Sequence, residues 1–179
     1  DKPGSLPGLS ADVRGGEVSV KSVDVKGSSM PRIIAYGVIE APPQAVWSIV
    51  VDCGRYKQTM DNIKSSKRLS GSLTGGKMRC ELVADLPWPL SDLRSVVDVT
   101  FGGLKGGGFK REWSLVEGDY KRNEGSWTLT PIDGGAHTLL RYELHVEPKT
   151  SVPEWLKRQA AKAKVPGMFK RLRVEAAKL

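Results

Sequence analysis

Two histidines, His137 and His145, are the side chains of this chain best suited to transfer protons near neutral pH. They stand an even number of positions apart in one predicted strand, so they share a face, which we expect to meet solvent. The sequence shows no Ser/His/Asp set, paired acids, phosphate-binding glycine loop or metal-ligand spacing. We therefore predict that the protein is not an enzyme and that it needs no metal or other cofactor.

The chain has two cysteines, Cys53 and Cys80, which are too few for a disulfide framework. Cys53 falls in a predicted helix or turn, and Cys80 falls in the middle of a predicted strand. Neither has the cysteine or histidine neighbours that a metal site requires. Buried free thiols are the prediction, in preference to a bridge.

Positive charge is concentrated at the C-terminal end of a chain whose formal net charge is +8. Residues 153–179 contain eight basic side chains against Glu154 and Glu175, a local balance of +6. Such a tail favours an anionic partner, either a membrane surface or a nucleic acid, but a solvated helix face explains it equally well. No apolar run approaches the roughly 20 residues of a membrane-spanning helix, so any membrane association is expected to be peripheral.

Residues 1–15 are rich in proline and glycine and show no periodicity. They are predicted to form a flexible segment before one domain over residues 16–179. The start at Asp1 without methionine fits a mature end left after removal of a signal peptide, and it also fits an arbitrary boundary. We favour the first interpretation, and with it a periplasmic or secreted location over a cytoplasmic one.

Hydrophobic alternation predicts an antiparallel sheet with one buried and one solvated face. Met78, Cys80 and Leu82 alternate with charged residues, and residues 140–146 follow the same pattern. Glycine-rich segments suited to hairpin loops separate the later strands. The predicted strands are residues 17–25, 32–40, 63–70, 77–84, 94–101, 109–116, 126–131 and 138–146.

Helices are predicted on either side of the later strands. Two short ones follow the second strand, over residues 44–51 and 52–61. Over residues 152–179 apolar side chains recur at the 3.6-residue spacing of an amphipathic helix, with a kink or break expected at Pro166 and Gly167. One helix is too narrow to cover eight strands that lie about 4.8 Å apart. The predicted fold is therefore α+β, a curved antiparallel sheet closed by a long C-terminal helix over an apolar cavity.

Residues 85–97 carry the pattern Pro-Trp-Pro-Leu-Ser-Asp and resemble the lid loop of START-type lipid-transfer domains, relatives of polyketide cyclases and coenzyme Q-binding proteins. Where that family continues with Arg-Asp, this chain has Leu93-Arg94. Tyr56 with Met60, and the opening of the last helix at residues 152–156, resemble further parts of the family. The resemblance covers roughly residues 16–179. It implies a helix-grip fold that binds a lipid in an internal cavity.

An apolar cavity needs bulky inward side chains and few charges, because an unpaired buried charge is costly. Each candidate for ligand contact is also compatible with plain core packing. The candidates are Trp47, Tyr56, Met60, Met78, Cys80, Leu82, Trp88, Val97, Val99, Phe101, Trp113, Leu115, Trp127, Leu140, Tyr142, Met168 and Leu172. Tyr142 or Tyr56 is expected to offer a hydroxyl to the polar end of the ligand.

Trp88 lies between two prolines in the predicted lid, where a lid tip or a membrane-inserting side chain is favoured over core packing. Together with Lys170, Arg171 and Arg173 it forms the predicted membrane-docking surface. The predicted function is binding of a sterol, phospholipid, quinone or fatty acid by a monomer, and its carriage to or from membranes.

Two alternatives stay open: a polyketide cyclase-like enzyme that uses a tyrosine or an aspartate as its general acid, and a ribosome- or RNA-binding protein of the same fold. The chain lacks the aromatic and glycine platform of known RNA-binding modules, so no nucleic acid partner is expected.

Overall fold

The computed structural model describes residues 6–88, 90–159 and 163–179. Eight strands form one antiparallel sheet in the order β1-β2-β8-β7-β6-β5-β4-β3. The strands are β1 Ser19–Val23, β2 Arg32–Ile39, β3 Ile63–Gly71, β4 Lys77–Ala84, β5 Leu93–Gly103, β6 Phe109–Gly118, β7 Tyr120–Ile132 and β8 His137–Pro148. The α+β helix-grip architecture predicted from the sequence is confirmed.

The helices pack around this sheet. They are α1 Ala11–Arg14, α2 Pro43–Val50, α3 Tyr56–Thr59, α4 Glu154–Gln159 and α5 Val165–Ala176, with 3-10 turns at Cys53–Arg55 and Asp133–Gly135. Pro166 lies in the first turn of α5, where its missing N–H leaves no helical bond unmade. Pro166 and Gly167 therefore lie inside α5, which begins at Val165, and not at a kink or break as expected. Among the helices described, none is both long and apolar enough to cross a membrane.

Helix α5 packs directly onto β2 because one residue of that strand has no side chain. Phe169 and Leu172 are fully buried on the inner face of the helix. A Cβ atom at Gly37 would stand 2.6 Å from Cδ1 of Phe169, which is closer than packed atoms approach. Gly37 thus provides the room in which α5 seats its central aromatic ring.

Residues 6–15 do not form the loose segment expected for the N-terminal region. The hydroxyl of Ser10 accepts a hydrogen bond from the N–H of Val13 at 3.2 Å and caps α1. Val13 is 1% exposed and packs with Val38, Ile132 and Leu139 on the outer face of the sheet. The burial of one valine is the physical reason for the difference.

The two cysteines form a disulfide, which corrects the expectation of free thiols. Cys53 in the 3-10 turn is bonded to Cys80 in β4, 27 positions along the chain, with Cα atoms 6.4 Å apart. Both residues are fully buried. The turn folds across the concave face, and this long-range approach has no local signal in the sequence.

Candidate ligand-binding cavity

A cavity of about 350 Å³ lies between the concave face of the sheet and helices α3, α4 and α5. Its volume falls in the range of small-molecule pockets, which begins at about 300 Å³. The wall is mainly apolar. Its apolar side chains include Met60, Ile63, Leu82, Leu93, Val97, Trp113, Trp127, Leu144, Val146, Leu156, Val165 and Met168.

A row of inward side chains crosses the wall from β5 to β8. Phe101 pairs with Arg111, Arg111 pairs with Trp127, and Trp127 pairs with Tyr142 in the register of the sheet. Side chains in such pairs stand about 5 Å apart at their Cβ atoms. The last three members of the row line the cavity, so a cation lies in the middle of an aromatic surface.

Arg111 is held in this row with little hydrogen bonding. The side chain is 2% exposed, and its Nε and Nη2 atoms have no hydrogen-bond partner among the described residues. Its guanidinium carbon lies 5.4 Å from the centre of the Tyr56 ring and 5.6 Å from that of Trp113. Both distances are within the range of cation–π attraction, which compensates part of the lost hydration.

Three other polar side chains of the cavity wall and the buried Tyr120 are satisfied or stay neutral. Nε1 of Trp113 donates to Oδ1 of Asn123 at 3.0 Å, and the hydroxyl of Tyr56 donates to the carbonyl of Val50. The Tyr56 hydroxyl is therefore not free for a ligand, contrary to expectation. Burial raises the pKa of Tyr142 and raises that of Tyr120 to about 12, so both hydroxyls remain protonated donors at neutral pH.

Trp113 owes its place in the wall to a glycine on the neighbouring strand. Gly125 is its cross-strand partner, and a Cβ atom there would overlap both the indole ring and the carbonyl of Glu143. The bare backbone of Gly125 lets the indole lie flat along β7. Its Nε1 atom then reaches Asn123, which lines the cavity as well.

The opening of the cavity lies at the end of the sheet where β4 ends and β5 begins. Exposed residues Asp61, Asn62 and Asp85 line it there, together with Leu86 of the lid loop. Helix α4 borders it on the other side through Leu156. Trp88 in the lid is 90% exposed, and Trp155 in α4 is 46% exposed. Both elements that border the opening therefore present a tryptophan to solvent.

Aromatic packing closes the opposite end. The ring of Trp47 stacks on Phe109 with centroids 4.9 Å apart, and its centroid lies 6.1 Å from that of Phe101. Trp47 is buried, and Val99 and Met78 pack in the same cluster. The concave face is thus filled at one end and hollow at the other.

The candidate ligand contacts divide along this boundary. Those that line the cavity are Tyr56, Met60, Leu82, Val97, Trp113, Trp127, Tyr142 and Met168. Those packed in or against the core outside it are Trp47, Met78, Cys80, Val99, Phe101, Leu140 and Leu172. They face inward as expected, but they pack against one another or against α5, and Cys80 is in the disulfide.

Two further candidates lie elsewhere. Leu115 is half-buried on β6 beyond Trp113, where the residue pairs between β6 and β7 end. Trp88 is on the outer side of the lid.

The predicted membrane-docking bases of α5 do not all point outward, which corrects that expectation. Lys170 is exposed. Arg171 pairs with Asp61 at 2.8 Å and with Glu175 at 2.9 Å. Arg173 donates through Nε to the carbonyl of Val38 at 3.0 Å. Two of the three bases therefore attach α5 to the rest of the protein.

His145 is also placed differently from the prediction of a solvent-facing side chain. It is 4% exposed, and its Nε2 atom lies 3.0 Å from the carbonyl oxygen of Met30 and 3.1 Å from Oγ of Ser28. The connection between β1 and β2 covers it on the outer face. His137 is partly exposed, with Nδ1 2.9 Å from Oδ2 of Asp133. Neither histidine lines the cavity.

Sequence reasoning missed two residues of this site. Arg111 alternates with Phe109 and Trp113 on β6, so strand periodicity alone places it inward. Its charge conceals this role at the level of sequence, because an apolar wall is expected to hold few charges. Trp155 was attributed only to the start of the last helix, and the approach of α4 to the lid end has no sequence signal.

Residues 39–173 match the family model described as polyketide cyclase/dehydrase and lipid transport. This match spans strands β3 to β8, the lid loop and most of α5. No curated protein sequence matches the chain significantly.

Several solved structures share the fold. The STAR-related lipid transfer protein from Xanthomonas axonopodis is 22% identical, with a TM-score of 0.76 over 89% of this chain and 93% of that one. Human STARD10 is 15% identical, with a TM-score of 0.76 over 90% and 69%. The Zhui aromatase/cyclase from Streptomyces sp. R1128 is 12% identical, with a TM-score of 0.59 over 82% and 91%. At these identities the likeness establishes the fold.

Proposed function

Because the chain belongs to the polyketide cyclase/dehydrase and lipid transport family, we propose that it binds a lipid in its cavity and exchanges it with membranes. The proposed binding unit is the domain over residues 16–179, acting as a monomer. The observation that carries the proposal is a hollow, mainly apolar space between the sheet and α5 that opens beside the lid. An apolar ligand there would replace water against rings and aliphatic chains.

The exposed tryptophans indicate how the opening would meet a membrane. Trp88 and Trp155 stand on the two elements that border it, and tryptophan favours the interface between lipid and water. Arg158 of α4 is exposed beside Trp155 and would add attraction to anionic lipid. This proposed docking surface, defined by Trp88, Trp155 and Arg158, keeps Trp88 of the predicted surface and takes Arg158 in place of the bases of α5.

Transfer between vesicles tests the proposal. Donor vesicles of phosphatidylcholine and phosphatidylglycerol in roughly a 4:1 ratio would carry a fluorescent lipid, and the rate of its arrival in acceptor vesicles would be followed. The wild-type protein should accelerate transfer, and Trp88→Ala and Trp155→Ala should slow it. Leu104→Ala is the matched control, since Leu104 is also exposed but lies in the hairpin at the closed end.

Added salt separates docking from binding. The attraction between Arg158 and anionic lipid decays over a Debye length, and added salt shortens that length. The rate of transfer should therefore decline as salt rises. Equal rates for the wild type and both tryptophan variants would mean that this face does not dock. Absence of transfer together with absence of lipid binding would remove the proposal altogether.

A cyclase-like activity is the second candidate, since the family description includes cyclases and one similar structure is an aromatase/cyclase. Tyr120 and Tyr142 would serve as neutral acids near the cavity wall. Among the described residues no cluster able to hold a metal ion is found. We propose binding without turnover. Recovery of a cyclised or dehydrated product after incubation with a linear polyketide would favour the enzyme instead.

The case for nucleic-acid binding is weaker once the contacts of α5 are known. It rests on the positive charge of the C-terminal region, but Arg171 and Arg173 are engaged by Asp61 and by the backbone of Val38. A Lys170→Glu variant should leave lipid transfer intact. If RNA binding were the function, the same variant would weaken it uniformly across RNA sequences.

A further inference from the structure

Arg111, the buried cation of the cavity, forms no salt bridge within the described part of the chain, and two of its guanidinium nitrogens have no hydrogen-bond partner there. Apart from Arg111, the charged side chains lining the cavity are Asp61, Asp85, Lys157 and Lys164. Asp61 and Asp85 are exposed at the opening, and Asp61 is already paired with Arg171. The carboxylates of the cavity therefore lie away from the guanidinium.

A buried guanidinium is costly without a partner. Its planar N–H groups match the two oxygens of a carboxylate or a phosphate, and such charge-assisted pairs are among the strongest hydrogen bonds of proteins. The rings of Tyr56 and Trp113 lie within cation–π distance of the guanidinium, but neither residue accepts a hydrogen bond from it. Nε and Nη2 thus remain without an acceptor, in a side chain that lines the cavity.

The position of Arg111 in the sheet sets the depth of such an acceptor. Arg111 is two residues from the start of β6, and its row ends at Tyr142, six residues before the end of β8 at the opening. At about 3.4 Å per residue the row lies roughly 20 Å along the strand from the opening. Beyond it, Trp47, Phe101 and Phe109 fill the concave face.

We propose that the ligand of this protein is an amphipathic molecule with a compact anionic head group, a carboxylate or a phosphate monoester, which enters head first and pairs with Arg111. The apolar body then occupies the cavity between Arg111 and the lid. This inference rests on the proposed function, since it specifies which lipid the cavity takes. A neutral sterol would leave the guanidinium without a counter-charge and is disfavoured.

Matched pairs of ligands test the head group on the full-length protein after removal of lipid. Displacement of Nile red, a neutral dye, would compare myristic acid with 1-tetradecanol, and lysophosphatidic acid with the monoacylglycerol of the same chain. The wild type should bind the anionic member roughly 10–100-fold more tightly than the neutral one. The pair that shows the larger preference identifies carboxylate or phosphate as the source.

Three variants separate charge from packing. Arg111→Met keeps an unbranched apolar stem, and it should lose the preference for the anionic member while still binding 1-tetradecanol. Arg111→Lys keeps the charge without the planar fork and should retain part of the preference. Lys110→Met is the control, because Lys110 comes immediately before Arg111 in β6 and pairs with Glu112 on the other face. It should behave as the wild type.

The outcomes are distinguishable. A wild type that binds both members of each pair equally, or an Arg111→Met variant that keeps the full preference, overturns the head-group inference while lipid binding stands. Failure of every ligand, neutral and anionic, to displace the dye from the wild type overturns the inference and the proposed function together.

Discussion

The guanidinium carbon of Arg111 lies 5.4 Å from the centre of the Tyr56 ring, and the two residues belong to opposite walls of the cavity. Arg111 stands on β6, whereas Tyr56 opens α3 and donates its hydroxyl to the carbonyl of Val50 at the end of α2. This contact connects the sheet with the short helices. It leaves Nε and Nη2 of the arginine without a hydrogen-bond partner among the described residues.

Arg111→Met should make the ligand-free protein at least as stable as the wild type. Removing an unpaired buried charge relieves its desolvation, and the gain is expected to be on the order of 1–3 kcal/mol. Urea denaturation after lipid removal would measure it, with Lys110→Met expected within about 0.5 kcal/mol of the wild type. A large loss of stability in Arg111→Met would show that the arginine has a structural partner.

The disulfide should contribute strongly to the free energy of unfolding. For Cys53 and Cys80, 27 positions apart, the loop-entropy model gives about 3.5 kcal/mol. A Cys53→Ser/Cys80→Ser variant, compared with the wild type with and without reductant, should show that loss by chemical denaturation. An unchanged midpoint in the wild type on complete reduction would contradict the prediction.

Gly37→Ala should destabilise the attachment of α5. The new methyl group would meet the ring of Phe169, and overpacking of this kind costs about 1–3 kcal/mol. Gly102→Ala on β5 is the control, since a Cβ atom there meets nothing within 4 Å. Adding Phe169→Leu to Gly37→Ala should recover part of the loss, and strict additivity of the two changes would argue against this contact.

Tyr120 should make stability depend on alkaline pH. Burial raises its pKa from 10.0 to about 12, so the folded state holds the phenol proton more tightly than the unfolded state. This contribution is present below pH 10 and is lost as pH rises towards 12, in total about 2–3 kcal/mol. Measured by denaturation between about pH 9 and about pH 11.5, the free energy of unfolding should fall less steeply with pH in Tyr120→Phe than in the wild type. An identical dependence of unfolding free energy on pH in the wild type and Tyr120→Phe would contradict the prediction.

The sheet and its closing helix could be predicted because their signals are local. Period-2 alternation in β4 and β8 and the 3.6-residue spacing in α5 each follow from which side of an element is buried. The inward orientation of Trp47 and Leu140 followed from the same pattern. Which inward residues border a void, and which fill the core, depends on how Trp47 stacks on Phe109, and periodicity carries no information on that.

Long-range approaches account for the errors. The disulfide depends on the 3-10 turn meeting β4, and the burial of His145 depends on the connection between β1 and β2 folding over β8. Arg173 is expected on the membrane-docking surface but donates to the carbonyl of Val38. Arg111 is the instructive case, since alternation pointed it inward and only the expectation of an uncharged wall set it aside.

Native mass spectrometry of the wild type and of two variants with an introduced tryptophan tests the central claim most directly. Leu82 lines the cavity, and Val83 is its neighbour on the other face of β4. The wild type and Val83→Trp should each carry one lipid that organic solvent extracts. Leu82→Trp, which narrows the cavity, should carry less lipid than the wild type while its circular dichroism remains that of the wild type. A folded Leu82→Trp variant that retains the lipid in equal amount would contradict binding in this cavity.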